Sequence, residues 1–328
     1  MTMPKSLSPS RRDLLKLSAA GLAAAMPLPA LAAAPMRNTQ APAFYRFKIG
    51  NFEATALSDG PLDLGEPKPG IFGGVAPEEF DRTLNDHFLP KDKLFLQQNA
   101  LVVNTGPRLV LFDTGLGSAK MMGDKTGRLL TMLKAADIAP AAIDAVVLTH
   151  AHPDHCWGLM TQEAAQNFTA AQIYMAQSEF DFWTDESNGT NDMMKAFVVG
   201  ARKQLLPNRE RMVFIKDGQE ILPGIQAIAT PGHTVGHMSY MITSDGNSLC
   251  NTGDIVHHHV LSMLRPRAEF AFDTDGKQGA ETRVRMLDKL ATDKTLMLAY
   301  HFPWPGIGHV ARQGDGYRYV AAPLQVTL

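Results

Sequence analysis

Four side chains that can bind a metal ion occur within six residues, in the segment Thr149-His150-Ala151-His152-Pro153-Asp154-His155. Imidazole nitrogens and carboxylate oxygens are common ligands of divalent metal ions. His150 and His152 are two residues apart, so on an extended strand end they point the same way, whereas Asp154 and His155 fall on the following turn and can point at a second ion. Packing does not explain this density, and the segment predicts a site for two metals.

Three further ligand candidates lie far away along the chain. They are His233 in Thr230-Pro231-Gly232-His233, Asp254 in Asn251-Thr252-Gly253-Asp254, and His301 in Ala299-Tyr300-His301. Each lies at or just beyond the end of a predicted strand, and binding residues are concentrated on loops of this kind. We therefore expect the three residues to meet the first cluster at one edge of a sheet.

The combined pattern resembles the metallo-β-lactamase superfamily, in which a His-x-His-x-Asp-His motif is followed by Gly-His, Gly-Asp and a late His. The resemblance implies an α/β fold, a four-layer αββα sandwich. It also implies a ligand set, which is His150, His152 and His233 for one metal, Asp154, His155 and His301 for the other, and Asp254 bridging both. Zinc suits such a site best, although Mn, Co or Fe would also fit mixed His and Asp ligands.

Departures from other branches of the superfamily narrow the expected chemistry. Enzymes that open β-lactams generally lack an aspartate at the bridging position, so Asp254 disfavours that activity, and flavo-diiron reductases have a glutamate where this chain has His152. Persulfide dioxygenases use a single iron, which would leave His155 and His301 unused. Hydroxyacylglutathione hydrolases have a basic glutathione-binding tail, whereas residues 317–328 contain Arg318 as their one basic residue.

The most detailed likeness is to methyl parathion hydrolases and their lactonase or arylesterase relatives. It spans nearly the whole of residues 35–328, through the segments Phe44-Tyr45-Arg46, Ala56-Leu57-Ser58-Asp59-Gly60, Leu101-Val102-Val103-Asn104-Thr105-Gly106, Asp181-Phe182-Trp183, Pro305-Gly306-Ile307-Gly308-His309 and Gly316-Tyr317-Arg318. Because substrate preference within such a group changes with a few pocket residues, the likeness identifies the group and not the substrate.

Two divalent ions can hold a bridging water and lower its pKa towards neutrality. We therefore expect a metal-bridging hydroxide to attack neutral apolar esters, lactones such as acyl-homoserine lactones, or organophosphate triesters, with Asp254 keeping the ions in place. Two alternatives stay open, a thioester or phosphodiester hydrolase on the same site and a non-catalytic exported metal-binding protein. Basic side chains at the entrance to the site would favour anionic substrates. The sequence contains no cluster of lysine and arginine residues that would supply them.

His257 is a candidate catalytic residue outside the ligand set. It follows Asp254 by three residues, where metal-dependent acyl-homoserine lactonases have a tyrosine whose hydroxyl meets the substrate carbonyl. An imidazole N–H could do the same work. The alternative is that His257-His258-His259 is only a polar loop.

Trp183 is expected to line an apolar substrate pocket. Further candidates for the pocket are Phe72, Phe88, Phe95, Met121, Met122 and Phe197. Asp59 and Asp113 both precede glycine-containing turns. Each could support a ligand histidine or cap its own turn, and the sequence does not separate these roles.

The ligand candidates need strands that end close together. Residues 44–49 and 52–57 alternate like the strands of a hairpin, and residues 145–148 form a short apolar run typical of a buried strand. Further strands are predicted at residues 100–104, 109–112, 172–175, 212–215, 225–229, 239–243, 248–251 and 296–300, and helices at residues 128–136, 178–184, 192–206 and 279–291. Residues 61–93 are expected to form a long surface loop bordering a pocket. Mixed hairpins and βα units favour a sheet sandwich covered by helices.

The composition is that of an ordinary globular protein. The chain has 328 residues, 45% of them hydrophobic, and a formal net charge of −2, without the basic stripe that nucleic acid requires. Beyond the N-terminus no apolar run approaches the length of a membrane span. The expected partner is a small apolar substrate, a homodimer is left open, and Cys156 and Cys250 could form one disulfide or none.

Residues 1–34 are expected to be a twin-arginine signal peptide. Ser10-Arg11-Arg12 precedes a mildly apolar stretch and an alanine-rich run with an Ala-x-Ala cleavage site near Ala32 or Ala34. The resemblance to twin-arginine substrates implies export after folding and a periplasmic location. Residues 35–328 would then form a single hydrolase domain.

Overall fold

The computed structural model of this chain describes residues 36–328, so the expected signal peptide lies outside the described residues. Pro42–Leu328 form one compact unit. This unit is built on two seven-stranded sheets and one two-stranded sheet. The boundary at residue 35 stays a prediction.

The first large sheet uses the N-terminal part of the unit, and its strands pair in the order β1-β2-β5-β6-β7-β8-β9. These strands are β1 Phe44–Ile49, β2 Phe52–Ser58, β5 Asn99–Asn104, β6 Leu109–Phe112, β7 Ala145–Val147, β8 Gln172–Ala176 and β9 Met212–Ile215. Strands β6 to β9 run parallel, whereas β1, β2, β5 and β6 pair antiparallel in that order. The small sheet pairs β3 Leu62–Asp63 with β4 Phe95–Leu96.

The second large sheet follows in chain order, β10 to β16. Its strands are β10 Glu220–Leu222, β11 Ile225–Ala229, β12 Met238–Ser244, β13 Asn247–Asn251, β14 Leu296–Leu298, β15 Ile307–Gln313 and β16 Gly316–Ala321. β11 and β13 are both antiparallel to β12, and β13 is parallel to β14. The carboxyl ends of β11, β13 and β14 therefore lie at the same edge of the sheet.

Seven α-helices occur in the described residues, and most follow the predicted hydrophobic spacing. They are α1 Pro77–Asp86, α2 Leu129–Ala135, α3 Pro153–Cys156, α4 Gln177–Thr184, α5 Asp192–Leu205, α6 Leu261–Leu264 and α7 Gly276–Asp293. In α7 the Asp275 side chain accepts the Gln278 N–H as an N-cap, and Met286, Leu287 and Leu290 form a buried stripe.

The sheets and helices form four layers, which follow from the alternation of side chains along the strands. In β5, Leu101 and Val103 belong to an apolar cluster shared with Ile225 and Tyr240 of the second sheet. Val102, between them, belongs to the cluster beneath helices α2, α4 and α5. On the outer side of the second sheet, Cys250 and Met297 pack against the buried stripe of α7. The predicted αββα sandwich is confirmed.

The expectation of a long surface loop at residues 61–93 is wrong, although the region does border a pocket, through Leu62 and Leu64. This region contains β3 and α1, and it packs as a fourth apolar cluster that includes Leu62, Phe80 and Leu84. Helix α1 begins at Pro77 with Glu78 and Glu79 in its first turn, and these are ordinary helix-start signals. The many Pro, Gly and Asp residues around the helix concealed it.

The described residues offer no segment for crossing a bilayer, because none of their helices is both long and apolar enough. Cys156 and Cys250 are both buried, and both are free thiols.

Candidate metal centre

The loop that follows β7 carries four of the seven predicted ligands. Its start is fixed by Thr149, whose N–H and hydroxyl donate to the two carboxylate oxygens of Asp113, each over 2.8 Å. His152 is still extended, and Pro153 then opens α3 at the position where a missing N–H costs nothing. All four predicted ligands in the loop are buried.

The other three predicted ligands follow strands of the second sheet. His233 comes after β11, Asp254 after β13 and His301 after β14. Gly253 has a φ of +52°, and a Cβ there would lie 2.7 Å from His237 Nε2, so this turn requires glycine. The same His237 nitrogen accepts the Asp254 N–H over 2.9 Å. His237 thus fixes the backbone of Asp254.

The seven predicted ligands meet at one place, with the Oδ2 atom of Asp254 at its centre. This oxygen is 2.9 Å from His301 Nε2, 3.4 Å from Nε2 of both His155 and His233, and 3.9 Å from His150 Nε2. Three groups of ligand atoms are close enough to hold an ion, namely His150 with His152 and His233, His150 with His155 and Asp254, and Asp154 with His155 and His301. The geometry places Asp254 where a bridging carboxylate would lie.

Two of these histidines are held from behind by buried carboxylates. His155 Nδ1 is 2.9 Å from Asp113 Oδ2, and His233 Nδ1 is 2.8 Å from Asp273 Oδ1. Arg283 lies 3.4 Å from the other oxygen of Asp273. Hydrogen bonds of this kind fix the ring orientation and leave Nε2 free to bind an ion.

His150 and His301 are anchored in the same manner by neutral oxygens. His150 Nδ1 is 3.0 Å from the Thr149 hydroxyl, and His301 Nδ1 is 2.7 Å from the carbonyl oxygen of Gln97. Four imidazoles therefore present Nε2 to the centre.

The two aspartates that the sequence left open have different roles. Asp113 supports His155, as described above. Asp59 instead accepts the backbone N–H groups of Leu116, Gly127 and Leu129, so it organises the segment between β6 and α2 and bonds no ligand side chain. Burial raises the pKa of Asp59 to about 7, against the opposing effect of these N–H donors.

Several atoms that face the centre are buried and have no hydrogen-bond partner among the described residues. They are Nε2 of His150, His155 and His233, Oδ2 of Asp154 and Oδ1 of Asp254. An unpaired buried polar atom costs free energy, so such atoms call for a ligand. Imidazole nitrogens combined with carboxylate oxygens are the donors that divalent transition-metal ions prefer. The residues therefore fit two divalent ions.

The electrostatics divide the centre into two sides. Burial lowers the pKa of His150 and of His152 well below the usual range. Burial acts in the same direction on His155 and His301, but the carboxylates of Asp254 and Asp154 outweigh it and raise both pKa values. A metal ion displaces the proton from an imidazole. Metal binding at His155 and His301 therefore competes with protons.

A narrow cavity of about 40 Å³ opens onto the centre. Its walls are mainly apolar, and they are formed by Leu62, Leu64, Leu96, Met122, Pro153, Phe197, Phe270 and Phe272. Among residues 36–328, no lysine or arginine lines it. Met122 and Phe197 were expected here, whereas the expectation was wrong for Phe72, Phe88, Phe95 and Met121, which do not line the cavity. The leucines were missed because they lie in or beside the misassigned loop, although the spacing of Leu62 and Leu64 is a strand signal.

His257 lies in the cavity wall beside the centre. Its ring stacks on Phe270, with 3.7 Å between the ring centroids, and its Nε2 is 3.6 Å from Asp254 Oδ2. Both ring nitrogens are buried without a hydrogen-bond partner in the described part of the chain. His257 also forms a fourth group of ligand-capable residues with His233 and Asp254. Burial lowers the pKa of His257 well below the usual range.

Trp183 does not line the cavity, so this expectation is wrong. Its side chain is fully buried behind His152, and the two rings meet edge to face with 5.2 Å between centroids. The indole N–H donates to Glu179 Oε1 over 2.7 Å. Glu179 and Asp273 were both missed, because their contacts join segments far apart in the chain and leave no local pattern.

Comparison with known proteins agrees with this geometry. Residues 94–300 match the family model described as the metallo-beta-lactamase superfamily. The N-acyl homoserine lactonase of Bacillus cereus is 27% identical over 184 residues, which are 51% of this chain and 66% of that enzyme.

Two solved structures resemble the whole fold. AidC, a dizinc quorum-quenching lactonase in complex with a product, N-hexanoyl-L-homoserine, is 26% identical with a TM-score of 0.80, over 87% of this chain and 99% of its own. The hydrolase AbOPH of the beta lactamase superfamily is 29% identical with a TM-score of 0.80, over 88% of this chain and 100% of its own.

Proposed function

This chain belongs to the metallo-beta-lactamase superfamily, and from that membership we propose that it is a dinuclear metal-dependent hydrolase of neutral, apolar esters and lactones. Asp254 and the six other predicted ligands around it supply the donors for two divalent ions, and zinc is the ion we assign. The dizinc lactonase AidC supports this choice.

One observation carries the proposal, namely that the buried ligand cluster lies at the end of a mainly apolar cavity whose described lining contains no lysine or arginine. Apolar walls favour an uncharged substrate, because moving a charge from water into an apolar cavity costs free energy. A phosphodiester or another anion would find no lysine or arginine there to pair with its charge, so these substrates are disfavoured. The open cavity also favours an enzyme over a protein that only binds metal.

Divalent ions held at the centre would supply an activated water and an electrophile for the substrate oxygen. The chain's own residues fix the geometry for this reaction. Asp254 faces ligand histidines of both large sheets, while Asp113 and Asp273 hold His155 and His233 in one ring orientation. The apolar wall excludes water from the substrate body.

We assign His257 to the substrate oxygen. Its ring is fixed by stacking on Phe270, it lines the cavity, and its nitrogens have no partner in the described residues. A neutral imidazole can donate one N–H to the oxygen on which negative charge develops. This is the role that the sequence analysis expected of it.

Lactones are the favoured substrates within this proposal. Two relatives are lactonases, and one of them was solved with an acyl-homoserine product. Aryl esters and neutral phosphotriesters are equally uncharged and would also enter an apolar cavity, so they belong to the same substrate class.

The test is a substrate panel on the metal-loaded protein, with a short and a long acyl-homoserine lactone, an aryl acetate, methyl paraoxon, an anionic aryl phosphodiester and a cephalosporin. We expect hydrolysis of lactones and aryl acetate and none of the cephalosporin. The matched control is Asp254→Ala, which should abolish turnover by the same preparation. Faster cleavage of an anionic diester, or no turnover of any neutral ester, would contradict the proposal.

We further propose export to the periplasm by the twin-arginine route, supported by Ser10-Arg11-Arg12 and the alanine-rich run before residue 35. Replacing Arg11 and Arg12 with lysine should leave the protein in the cytoplasm at its full length. Unchanged periplasmic recovery would remove this assignment.

A further inference from the structure

Glu179 in α4 is a fully buried carboxylate that the proposed reaction does not use. Its hydrogen-bond partners are three N–H groups. Oε1 accepts the backbone N–H of Ala151 over 2.9 Å and the indole N–H of Trp183 over 2.7 Å, and Oε2 accepts the backbone N–H of Gly236 over 2.8 Å. A buried carboxylate bonded in this way is held firmly in one position, because N–H bonds to a charged oxygen are stronger than neutral ones.

The two backbone donors belong to different ligand loops. Ala151 lies between His150 and His152 in the loop from the first sheet, and Gly236 follows His233 in the loop from the second sheet. A single carboxylate therefore joins the two segments that supply the first group of ligand atoms.

Gly236 shows how closely α4 approaches the second loop. A Cβ at this position would lie 2.6 Å from the backbone nitrogen of Glu179, which is closer than side chains pack. Glycine at position 236 is thus required for the loop to reach the Glu179 carboxylate.

Trp183 extends the same arrangement to a ligand side chain. Its indole ring packs on the His152 ring with an interplanar angle of 72°, while its N–H is bound by Glu179. The Trp183 indole therefore contacts His152 while its N–H is held by Glu179. His152 in turn rests against a rigid ring.

We propose that Glu179 is a positioning residue whose carboxylate holds the His150–His152 loop and the His233 loop at the spacing that metal binding requires. The loops are set before the ion arrives, so less ordering accompanies binding. The inference rests on metal binding at this centre, as the proposed function does, but not on the identity of the substrate.

The test uses Glu179→Gln in the full chain and Co²⁺ as the probe. Glutamine keeps the size of the side chain and one acceptor oxygen, but its NH₂ group faces a backbone N–H that has lost its partner. We expect the dissociation constant for Co²⁺ to rise by about 10–100-fold, the range for residues that support metal ligands. The visible absorption of bound Co²⁺ should also change, because the ligand geometry changes.

Asp59→Asn is the matched control. Asp59 is also fully buried and also accepts three backbone N–H groups, but Leu116, Gly127 and Leu129 carry no ligand. We expect this variant to lower the melting temperature without altering Co²⁺ affinity or absorption. Wild-type Co²⁺ binding by Glu179→Gln, or equal losses in both variants, would overturn the proposal.

Hydrogen exchange in the wild-type protein supplies a second test that does not require a folded variant. If Glu179 sets the loops, the amides of Ala151 and Gly236 stay protected after the metal is removed by a chelator. Rapid exchange of both amides in the metal-free protein would show that the ion, and not Glu179, orders the loops. Absence of Co²⁺ binding by the wild-type chain would instead contradict the proposed function.

Discussion

Asp254 Oδ2 lies within 3.9 Å of the Nε2 atoms of five histidines, namely His150, His155, His233, His257 and His301. At the scale of single residues, these contacts predict how much each side chain of the centre contributes to holding the ions. A carboxylate that faces every ligand group affects both ions, whereas a carboxylate at one side affects one. Asp154, which faces His155 and His301, is of the second kind.

Asp254→Ala should therefore lose much more activity than Asp154→Ala. We expect the loss in kcat to exceed about 100-fold for Asp254→Ala, beyond the effect of a residue that only supports a ligand. The loss for Asp154→Ala should be at least about tenfold smaller. Steady-state kinetics and elemental analysis of both variants check this, and equal losses would show that Asp254 does not bridge.

His257→Phe should keep both ions and lower kcat for lactones by about 100–1000-fold, the range for removing one donor to a developing oxyanion. Phenylalanine retains the stacking on Phe270. His259→Phe, in the same loop but outside the cavity lining, is the control and should retain its turnover.

Two results would end this assignment for His257. Unchanged kcat with lactones would show that His257 lines the cavity without contacting the reacting oxygen. A loss of activity that follows a loss of metal would make it a ligand with His233 and Asp254.

At the scale of elements, the cavity wall depends on the small region formed by β3, α1 and β4. Leu62 and Leu96 belong to its apolar cluster and face the cavity, as does Phe270. Phe80, on the buried face of α1, lies in the same cluster but not in the cavity lining. Helix α1 therefore supports the wall from behind.

Phe80→Ala should weaken this wall while leaving the metal centre intact. Removing a buried phenylalanine side chain costs about 3–5 kcal/mol when its site cannot collapse. We expect both ions to be retained and KM for an apolar lactone to rise more than kcat falls. Arg82→Ala, at an exposed position of the same helix, is the control and should alter neither KM nor kcat. An unchanged KM for Phe80→Ala would show that α1 does not contribute to substrate binding.

The same region shows which parts of the structure the sequence could predict. The ligands were predictable because four of them lie in one segment, 150–155, and the other three follow strands with clear apolar patterns. Helix α1 was hidden by its many turn-forming residues, although Phe80 and Leu84 have helical spacing. Glu179 could not be found, because only the folded chain brings it to Ala151 and Gly236. Trp183 was expected in the cavity, but it lies behind His152, and again only the folded chain shows this position.

At the scale of the whole molecule, the ligands come from both large sheets. The first sheet presents residues 150–155, and the second presents His233, Asp254 and His301, all from carboxyl ends of strands that meet at one edge. An ion bound by both sets would link the two sheets at that edge, in addition to the apolar cluster between them.

Metal removal should therefore destabilise the protein as a whole. We expect elemental analysis to give two ions per chain and chelation to lower the melting temperature. An ion that binds only the folded state stabilises it by about 2.7 kcal/mol when free metal is 100 times its dissociation constant. Scanning calorimetry before and after chelation measures the effect, with Asp254→Ala as the control that should respond least. One ion at full activity would contradict the dinuclear centre.

The division of the strands has a further consequence. Strands β1 to β9 end at Ile215 and β10 begins at Glu220, so each large sheet is made by one continuous stretch of chain, and Gly218 lies in the short connection with open space beside it. Cutting the backbone there would yield two polypeptides, each with an exposed apolar sheet face and an incomplete set of donors. Mixed together, they should reassociate, and the recovery of activity should depend steeply on zinc concentration. The two fragments would then act as a zinc sensor, because the rate of turnover would report the fraction of fragments that zinc has joined.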